Sequence, residues 1–400
     1  MEHYDAVIIG SGPAGGQCGR QLVKAGKKVL LVDKCKDLNV NAYSSGGAPL
    51  SIIDDYQLPT NLISCYWNKM AVYSSRETHK VSTPQAKGVV LDFAKLRHFL
   101  ANEVSNHGGS LRLDSSYVAH DRNDSTTVVT LNDHASHLEE HISTDVLIDA
   151  TGSERSVLRK HNYDKERAVG VAGIEYHIEV DAAIFNRYAN TLSFYLGHRW
   201  MPQGYAWVFP IQPNMLKIGI ICYYTPHQIV PHEPAIRHYL DRMIVECMGT
   251  SNIPIHEKHG KTLYYTYGQR DLLYKDNVIA IGDAISTLNP LASEGIRHAM
   301  ASGNIASDHI LRYLNNKQPF TGYSKDLKRY FGYKWLESEQ IMKFLYTQKD
   351  DRKIDLMLKA LKQFSLQGLF ELGFNYDFKK IVKFFAAYMW LRIKNLFHEN

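Results

Sequence analysis

The run Ile281-Gly-Asp-Ala-Ile-Ser-Thr-Leu-Asn-Pro-Leu-Ala-Ser-Glu-Gly-Ile296 offers one carboxylate, Asp283, and then a row of backbone N–H groups opening at Gly295. A carboxylate in such a place suits the hydroxyls of a polyol. A helix starting at Gly295 suits a phosphate or an electron-rich ring edge. A complementary set lies near the other end of the chain. Gly10, Gly12 and Gly15 stand at GxGxxG spacing around Pro13 and Ala14, and Asp33-Lys34 follows. The first glycine permits a tight turn, the second lets the backbone approach a pyrophosphate, and the third lets a helix pack on a strand. Asp33 stands near the spacing expected of the acid that binds adenosine ribose hydroxyls, and its charge disfavours a 2′-phosphate. Ribose, pyrophosphate, polyol and ring edge together describe FAD.

Rigid elements must hold these groups. Ala6 to Ile9 reads as a buried parallel strand, Gln17 to Ala25 as a helix and Lys28 to Asp33 as a second strand, so residues 1–34 form a βαβ unit. Val278 to Ile281 reads as another buried strand ending at Gly282-Asp283, and Gly295 to Leu314 as a long helix. Val146-Leu-Ile-Asp-Ala-Thr-Gly152 is a further buried strand, with Arg155 and Arg159 beyond it. Residues 35–88 read as irregular, and Ser44-Ser-Gly-Gly-Ala-Pro49 is flexible enough to approach a ligand closely. Asp92 to Asn106 has helical periodicity, and Leu111 to Leu131 alternates as strands around a polar turn at Asp121–Asp124. Val169 to Tyr224 is strand-like, His232 to Cys247 helical, and the chain from Tyr323 onward helical. The fold class is therefore α/β with an α+β insertion. A Rossmann-like FAD-binding domain spans 1–165, with 35–88 facing the ligand, and returns at 266–315. A mostly antiparallel β-sheet substrate domain occupies 166–265, and a helical region 316–400.

Composition limits the rest. With 46 Lys and Arg against 41 Asp and Glu, the net charge of +5 does not read as a nucleic-acid binder. Five scattered cysteines without a CxxC pair favour reduced thiols in a cytoplasmic setting. A strand beginning almost at Met1 leaves no room for a signal peptide, and no run reaches the ~18 apolar residues of a membrane span. His134, His137 and His141 lie among turn-forming residues and read as a solvated loop; no metal site is expected.

The chain resembles the geranylgeranyl reductase family, within the p-hydroxybenzoate-hydroxylase-like group of FAD enzymes, over about residues 4–315. Gly282 to Gly303 is similar to the family's GDAAG…NPxxGEGIxxAMxSG pattern, with Ser293 in place of a glycine. Asp149-Ala-Thr-Gly-Ser-Glu-Arg-Ser-Val-Leu-Arg159 is similar to the group's ATG motif. Tyr205-Ala-Trp-Val-Phe-Pro210 matches the reductases' YxWxFP signature, and of the GxG expected after it only Gly219 is kept. The resemblance implies FAD held by Gly10, Gly12, Pro13, Ala14, Gly15, Asp33 and Lys34 at its nucleotide end. Val118, Ala150, Thr151 and Gly152 would follow, with Ser45, Gly46 and Gly47 beside the ring. Gly282, Asp283, Pro290, Gly295 and Ile296 would hold the ribityl chain and ring edge. Two departures touch chemistry. The family's cysteine-bearing CGGG-like loop is Ser44-Ser45-Gly46-Gly47 here, and an arginine of the group is replaced by Phe93, with Arg97 one turn later placed to compensate.

The activity implied is reduction of C=C bonds in an isoprenoid, polyene or other lipid-like substrate, with hydride from flavin N5 to one carbon and a proton to the other. A reductant such as NADPH, NADH or ferredoxin would have to meet the flavin without a dedicated Rossmann domain, since no second GxGxxG is present. Tyr205, Trp207 and Phe209 alternate on one strand face, either as an aromatic wall for the substrate or as sheet core. Glu294 would supply a proton or face solvent; Ser45 and Tyr43 are further candidates for catalysis. Phe378 to Phe397 intersperses Lys379, Lys380, Lys383, Arg392 and Lys394 with aromatics, as a helix lying on a membrane surface or docked on the core. A monooxygenase or halogenase on the same fold is the alternative, although no WxWxIP halogenase motif is present. A non-redox lycopene-cyclase-like enzyme is another.

Overall fold

The computed structural model describes residues 1–40, 42–123, 126–158, 168–224 and 235–396, the side chains of 168, 395 and 396 excepted. Asp124, Arg159, the stretch 232–234 and Phe397, all named above, lie outside the described residues.

The chain opens with β1 (His3–Ile9), α1 (Pro13–Lys24) and β2 (Val29–Val32). Val7, Ile8, Leu30 and Leu31 are completely buried, so these parallel strands have no solvent side to alternate with and read as continuous apolar runs. Among the described residues, 35–46 carry no helix or strand, as expected, but residues 47–91, read as irregular as far as 88, are ordered into short elements. They form β3 (Gly47–Pro49), α2 (Ile52–Asp55), β4 (Ile63–Trp67), β5 (Lys69–Tyr73), β6 (Thr78–Ser82) and β7 (Gly88–Leu91). These strands are short and separated by polar turns, so their apolar alternation is too brief to stand out in sequence. Next come α3 (Phe93–Asn106), whose N-cap Asp92 accepts from the Lys95 N–H, and then β8 (Ser110–Arg112), β9 (Ser115–Asn123), β10 (Thr126–Asp133) and β11 (Glu139–Asp149). β9 continues through Asp121 to Asn123, positions expected to lie in a turn. The three histidines do not gather. His134 bonds Asp114 and Ser116, His137 sits in the turn with φ +58°, and His141 lies within β11 facing Thr130.

The middle of the chain supplies β12 (Ala168–Glu179), α4 (Ala182–Tyr188), β13 (Thr191–Leu196), β14 (Gly204–Gln212), β15 (Met215–Tyr224), α5 (Ile236–Met248) and β16 (Ile255–Thr266). The return segment is β17 (Tyr274–Lys275), β18 (Val278–Ala280) and α6 (Ile296–Asn316). Helices α7 (Tyr323–Tyr330), α8 (Gly332–Tyr346), α9 (Asp351–Leu361), α10 (Leu366–Gly373) and α11 (Ile381–Leu396) complete it.

Three sheets result. In the first, β18, β11, β1, β2 and β8 run parallel, with β9–β10 as an antiparallel extension. The second has the order β16-β12-β15-β14-β13-β5-β6 and is antiparallel except where β5 meets β13. The third joins β3, β7 and β4. The helices α1 and α6 pack closely because Gly303 has no side chain; a Cβ there would stand 2.6 Å from the Ala14 carbonyl oxygen. The face of the second sheet carrying Tyr205, Trp207 and Phe209 looks toward α8, α9 and α10, and an apolar cluster fills the space between them.

Candidate active site

The turn after β1 is shaped by backbone alone. Gly10 has φ +110°, and a Cβ on it would lie 2.3 Å from the Ala150 carbonyl oxygen. A Cβ on Gly15 would lie 2.0 Å from the Gly10 carbonyl oxygen. Gly12 differs: a Cβ there meets nothing within 4 Å, and no side chain caps α1, which starts at Pro13. The N–H groups of that first turn therefore face open space, the requirement for an anion at a helix N-terminus.

Asp33 closes one side of this space. Its Oδ2 accepts from the Ser11 N–H at 2.9 Å and the Ser11 hydroxyl at 2.5 Å, and its Oδ1 from the Cys35 N–H at 2.9 Å. Burial opposes its charge, but these hydrogen bonds and the nearby Arg97 guanidinium prevail and hold the carboxyl below its ordinary range. Arg97 is itself buried, donating to the Leu38 and Val40 carbonyls and lying 3.4 Å from Asp33. It braces the acid and the following loop. Lys34 turns outward to Glu154 at 2.5 Å. Val118 is the residue that the β9–β10 ladder skips, at a bulge between its pairs at Ala119 and Tyr117. Ala150, Thr151 and Gly152 form the turn after β11, where buried Asp149 accepts from Thr151, Val157 and Leu158 N–H groups.

At the other end, Gly282 has φ +65° and donates its N–H to Ser302 at 2.8 Å. Asp283 Oδ1 accepts from the Thr287 hydroxyl and the Leu288 N–H, so the carboxylate braces its own loop as well as lining the cavity. Burial raises its pKa, with Thr287, Lys261, Leu288 and Arg155 opposing. Asn289 Oδ1 accepts from the Leu291 and Ala292 N–H groups just beyond Pro290 and so closes the bend. Gly295 precedes α6, which also lacks a side-chain cap before Ile296. Glu294 does not face solvent. It is buried, forms two bonds to Arg297 at 2.7 and 2.8 Å, and accepts from Tyr376 at 2.5 Å with His298 at 3.2 Å. Burial disfavours its charge, but His298 and Arg297 overcome that and depress its pKa strongly, so it holds no proton to give at neutral pH.

Between these ends lies a cavity of about 510 Å³ with mostly apolar walls. Pro13, Asp283, Gly295 and Ile296 line one end, with Ser45 and Gly47 beside them. Gly46 needs its φ of +73°, since a Cβ would stand 2.5 Å from the Leu91 carbonyl oxygen; one on Gly47 would touch Phe209. Tyr205, Trp207 and Phe209 all line the cavity, joined by Phe194 from β13. The Tyr205 hydroxyl donates to the Ala292 carbonyl at 3.0 Å, and burial pushes its pKa up to about 12. Beneath Trp207, buried Glu175 accepts its indole N–H at 3.1 Å, and Lys217 donates to the Ser44 carbonyl at 2.5 Å, pinning the serine loop. Burial works against the Glu175 charge, but Lys217, His177 and Trp207 together lower its pKa.

Several wall residues were not foreseen. Phe344, Leu358, Leu369, Phe374 and Phe384 from the C-terminal helices cover the far end of the cavity. Tyr223 and Tyr346 stack at 5.1 Å, bonding respectively to Ser293 and to the Leu291 carbonyl. Ser293, with φ +53°, thus gains a partner where the family pattern has glycine. The alternation of β15 marks Lys217 and Tyr223 for the same face, but their partners are far away in sequence.

The tryptophan halogenase family model matches residues 48–353, and an FAD binding domain model matches 5–54. A digeranylgeranylglycerophospholipid reductase of Haloferax volcanii is 25% identical over 81% of this chain and 80% of its own. The chain belongs to the tryptophan halogenase family and is a geranylgeranyl-reductase-like FAD oxidoreductase. A geranylgeranyl bacteriochlorophyll reductase-like structure from Thermoplasma acidophilum superposes on this flavoprotein with a TM-score of 0.82 at 20% identity, covering 97% of this chain and 96% of that one. The myxobacterial chondrochloren halogenase gives 0.67 at 14% identity, over 88% and 84%. Both show the fold alone. The open space at Gly12, the braced Asp33 and the uncapped start of α6 fit FAD, which this oxidoreductase binds. Among the described residues no helix is long and apolar enough to cross a membrane.

Proposed function

We propose that this flavoprotein reduces C=C bonds of an isoprenoid or similar lipid chain. The observation carrying the proposal is the cavity, which runs from the flavin-side loops along an aromatic sheet face into the C-terminal helices with few polar groups on the way. A tunnel of that size and lining suits a long hydrocarbon chain, whose burial is favourable by about 25 cal/mol per Å².

In this reading the α1 N-terminus at Gly12, Pro13, Ala14 and Gly15 receives the pyrophosphate, Asp33 the ribose, and the backbone at Val118 and 150–152 the nucleotide end. Asp283 receives the ribityl chain. Pro290, Gly295 and Ile296 meet the ring edge, with Ser45, Gly46 and Gly47 against it. Bound FAD supplies the hydride. The protein's own part is to exclude water, lay the lipid against Tyr205, Trp207 and Phe209, and fix the serine loop through Lys217. Glu294 is a structural ion pair in this scheme, because its charge is held and its oxygens are occupied. A reductant such as NADPH or ferredoxin is required.

The C-terminal helix suits a lipid that arrives from a membrane. Ile381, Phe384 and Phe385 of α11 line the cavity, while Val382, Ala386, Met389, Trp390 and Ile393 form an exposed stripe on its other side. Lys383, Arg392 and Lys394 are exposed alongside. An apolar face rimmed by cations is the composition of a helix lying in a bilayer interface.

The halogenase-type alternative draws support from the family match. One anaerobic experiment separates the readings: chemically reduced protein is mixed with prenylated lipids while flavin absorbance and product mass are followed. Reoxidation with a gain of two hydrogens supports reduction. Turnover only after oxygen is admitted, with oxygen or halogen in the product, refutes it; an isomeric product without reoxidation points to a cyclase.

A further inference from the structure

The two outermost strands at one side of the second sheet each carry a Glu-x-His pattern, Glu175-Tyr176-His177 on β12 and Glu257-Lys258-His259 on β16. Antiparallel pairing sets His177 opposite Glu257 and Glu175 opposite His259, so strand alternation places all four side chains on one face. A bulge between His177 and Ile178 skips His256, whose ring turns instead to Glu179 at 2.8 Å. One oxygen, Glu257 Oε2, lies 3.1 Å from His177 Nδ1 and 2.8 Å from His259 Nε2. The three donor atoms all lie within 4.8 Å of one another.

We propose that His177, Glu257 and His259 form a binding site for one zinc-like divalent cation at the polar end of the cavity. Tetrahedral zinc with nitrogen and oxygen donors at ~2.0–2.1 Å sets those donors roughly 3.3 Å apart, so small side-chain rotations close the set around an ion. Two imidazoles and one carboxylate suit zinc and its transition-metal neighbours, whereas magnesium and calcium favour oxygen ligands.

A second observation lies behind His177. Glu175 is only 5% exposed, and its Oε1 has no hydrogen-bond partner; neither does the buried Nε2 of His177, 3.4 Å away. Two unsatisfied buried polar atoms facing each other call for a cause. A cation on Nδ1 supplies one: it leaves the imidazole proton on Nε2, aimed at Glu175, the carboxylate–histidine pair that stands behind metal ligands and orients them. Glu175 is held for that task by the Trp207 indole.

The site opens onto the cavity. His259 and Lys261 line its wall, and the Tyr43 ring stacks on His259 with centroids 5.2 Å apart, next to the serine loop. A water, or an oxygen of a polar lipid head group, would take the remaining coordination position. The ligands escape sequence inspection because His177 lies on a different strand from Glu257 and His259, far from them along the chain.

The test uses the full-length flavin-loaded protein, stripped with EDTA and desalted. Zinc(II) is titrated calorimetrically, and retained metal is measured by plasma mass spectrometry after dialysis. One zinc per chain is expected. H177A and H259A should each weaken it by more than about 100-fold, and E175Q, acting only through His177, by about 10–100-fold. H256A should leave it unchanged. The visible absorption of cobalt(II) should vanish in the same variants, while FAD content and melting temperature report that they remain folded. H177Q and H259Q replace the alanine variants if those do not fold. Failure of the wild type to retain stoichiometric zinc, or retention by an H177A/H259A double variant, overturns the site.

Discussion

Replacing Gly12 by alanine should weaken FAD binding with little loss of stability, whereas the same change at Gly15 should destabilise the flavin-free protein. Gly12 sits at φ −68° and ψ −179°, extended backbone that any residue adopts, and its added methyl meets nothing within 4 Å. The expected fold cost is that of a poorer N-cap, about 0.5–1 kcal/mol. The methyl does fill the space before the first turn of α1. Charge-assisted hydrogen bonds are worth about 1.5–3 kcal/mol each, so loss of even one predicts FAD affinity lower by roughly 10–150-fold. Gly15→Ala instead drives a methyl to 2.0 Å from the Gly10 carbonyl oxygen, a backbone atom that has nowhere to go. Overpacking of that kind costs at least about 1–3 kcal/mol in the flavin-free protein. Melting curves of the deflavinated variants measure the first quantity, and fluorescence quenching on FAD titration the second. If G12A binds FAD within twofold of wild type, the α1 N-terminus is not the pyrophosphate site. If G12A destabilises the flavin-free protein as much as G15A, the distinction drawn between the two glycines is wrong.

Glu294→Ala should cost about 3–5 kcal/mol in urea unfolding at pH 7, because Arg297 is left buried without its partner. The folded-state pKa of Glu294 is depressed, so its contribution is complete above the ordinary carboxylate range and fades below about pH 4.3; the gap between wild type and variant should narrow there. Trp207→Phe removes the indole donor from Glu175 and should cost about 1–3 kcal/mol in the same assay, with no loss of bound FAD. Ser293→Gly exchanges a hydrogen bond to Tyr223, worth about 0.5–1.5 kcal/mol, for relief of left-handed strain of about 1–2 kcal/mol. A destabilisation beyond about 0.5 kcal/mol, or a stabilisation beyond about 1.5 kcal/mol, would contradict that balance. Replacing Met389, Trp390 and Ile393 together by serine should abolish co-sedimentation with anionic lipid vesicles while leaving the melting temperature within a few degrees, since these side chains point away from the cavity.

The cofactor end and the substrate end differ in how much of them a sequence displays, and the reason is distance along the chain. Gly10 to Asp33 and Gly282 to Ile296 are short runs in which strand, turn and helix start follow one another, so spacing alone locates the groups. The cavity walls are assembled otherwise. Trp207 meets Glu175 on another strand, Ser44 meets Lys217, and Glu294 is tied to Tyr376 beyond four further helices. Even β5 and β6, set in a stretch that reads as irregular, belong to the sheet built mainly from residues after 168. Glu294 shows the consequence for function: beside a glycine at the flavin loop it reads either as a proton donor or as a solvent-facing carboxylate, and only its partners from α6 and the segment after α10 reveal an ion pair. The same separation bears on specificity. Cavity-facing substitutions such as those at Leu358, Leu369 or Phe384 can reshape the far wall, whereas Trp335, Ser338 and Tyr346 of α8 bond the 288–291 loop and tie that wall to the flavin side. A scaffold of that kind lets proteins named reductases and proteins named halogenases share one fold, with the reaction set by walls that local motifs do not encode.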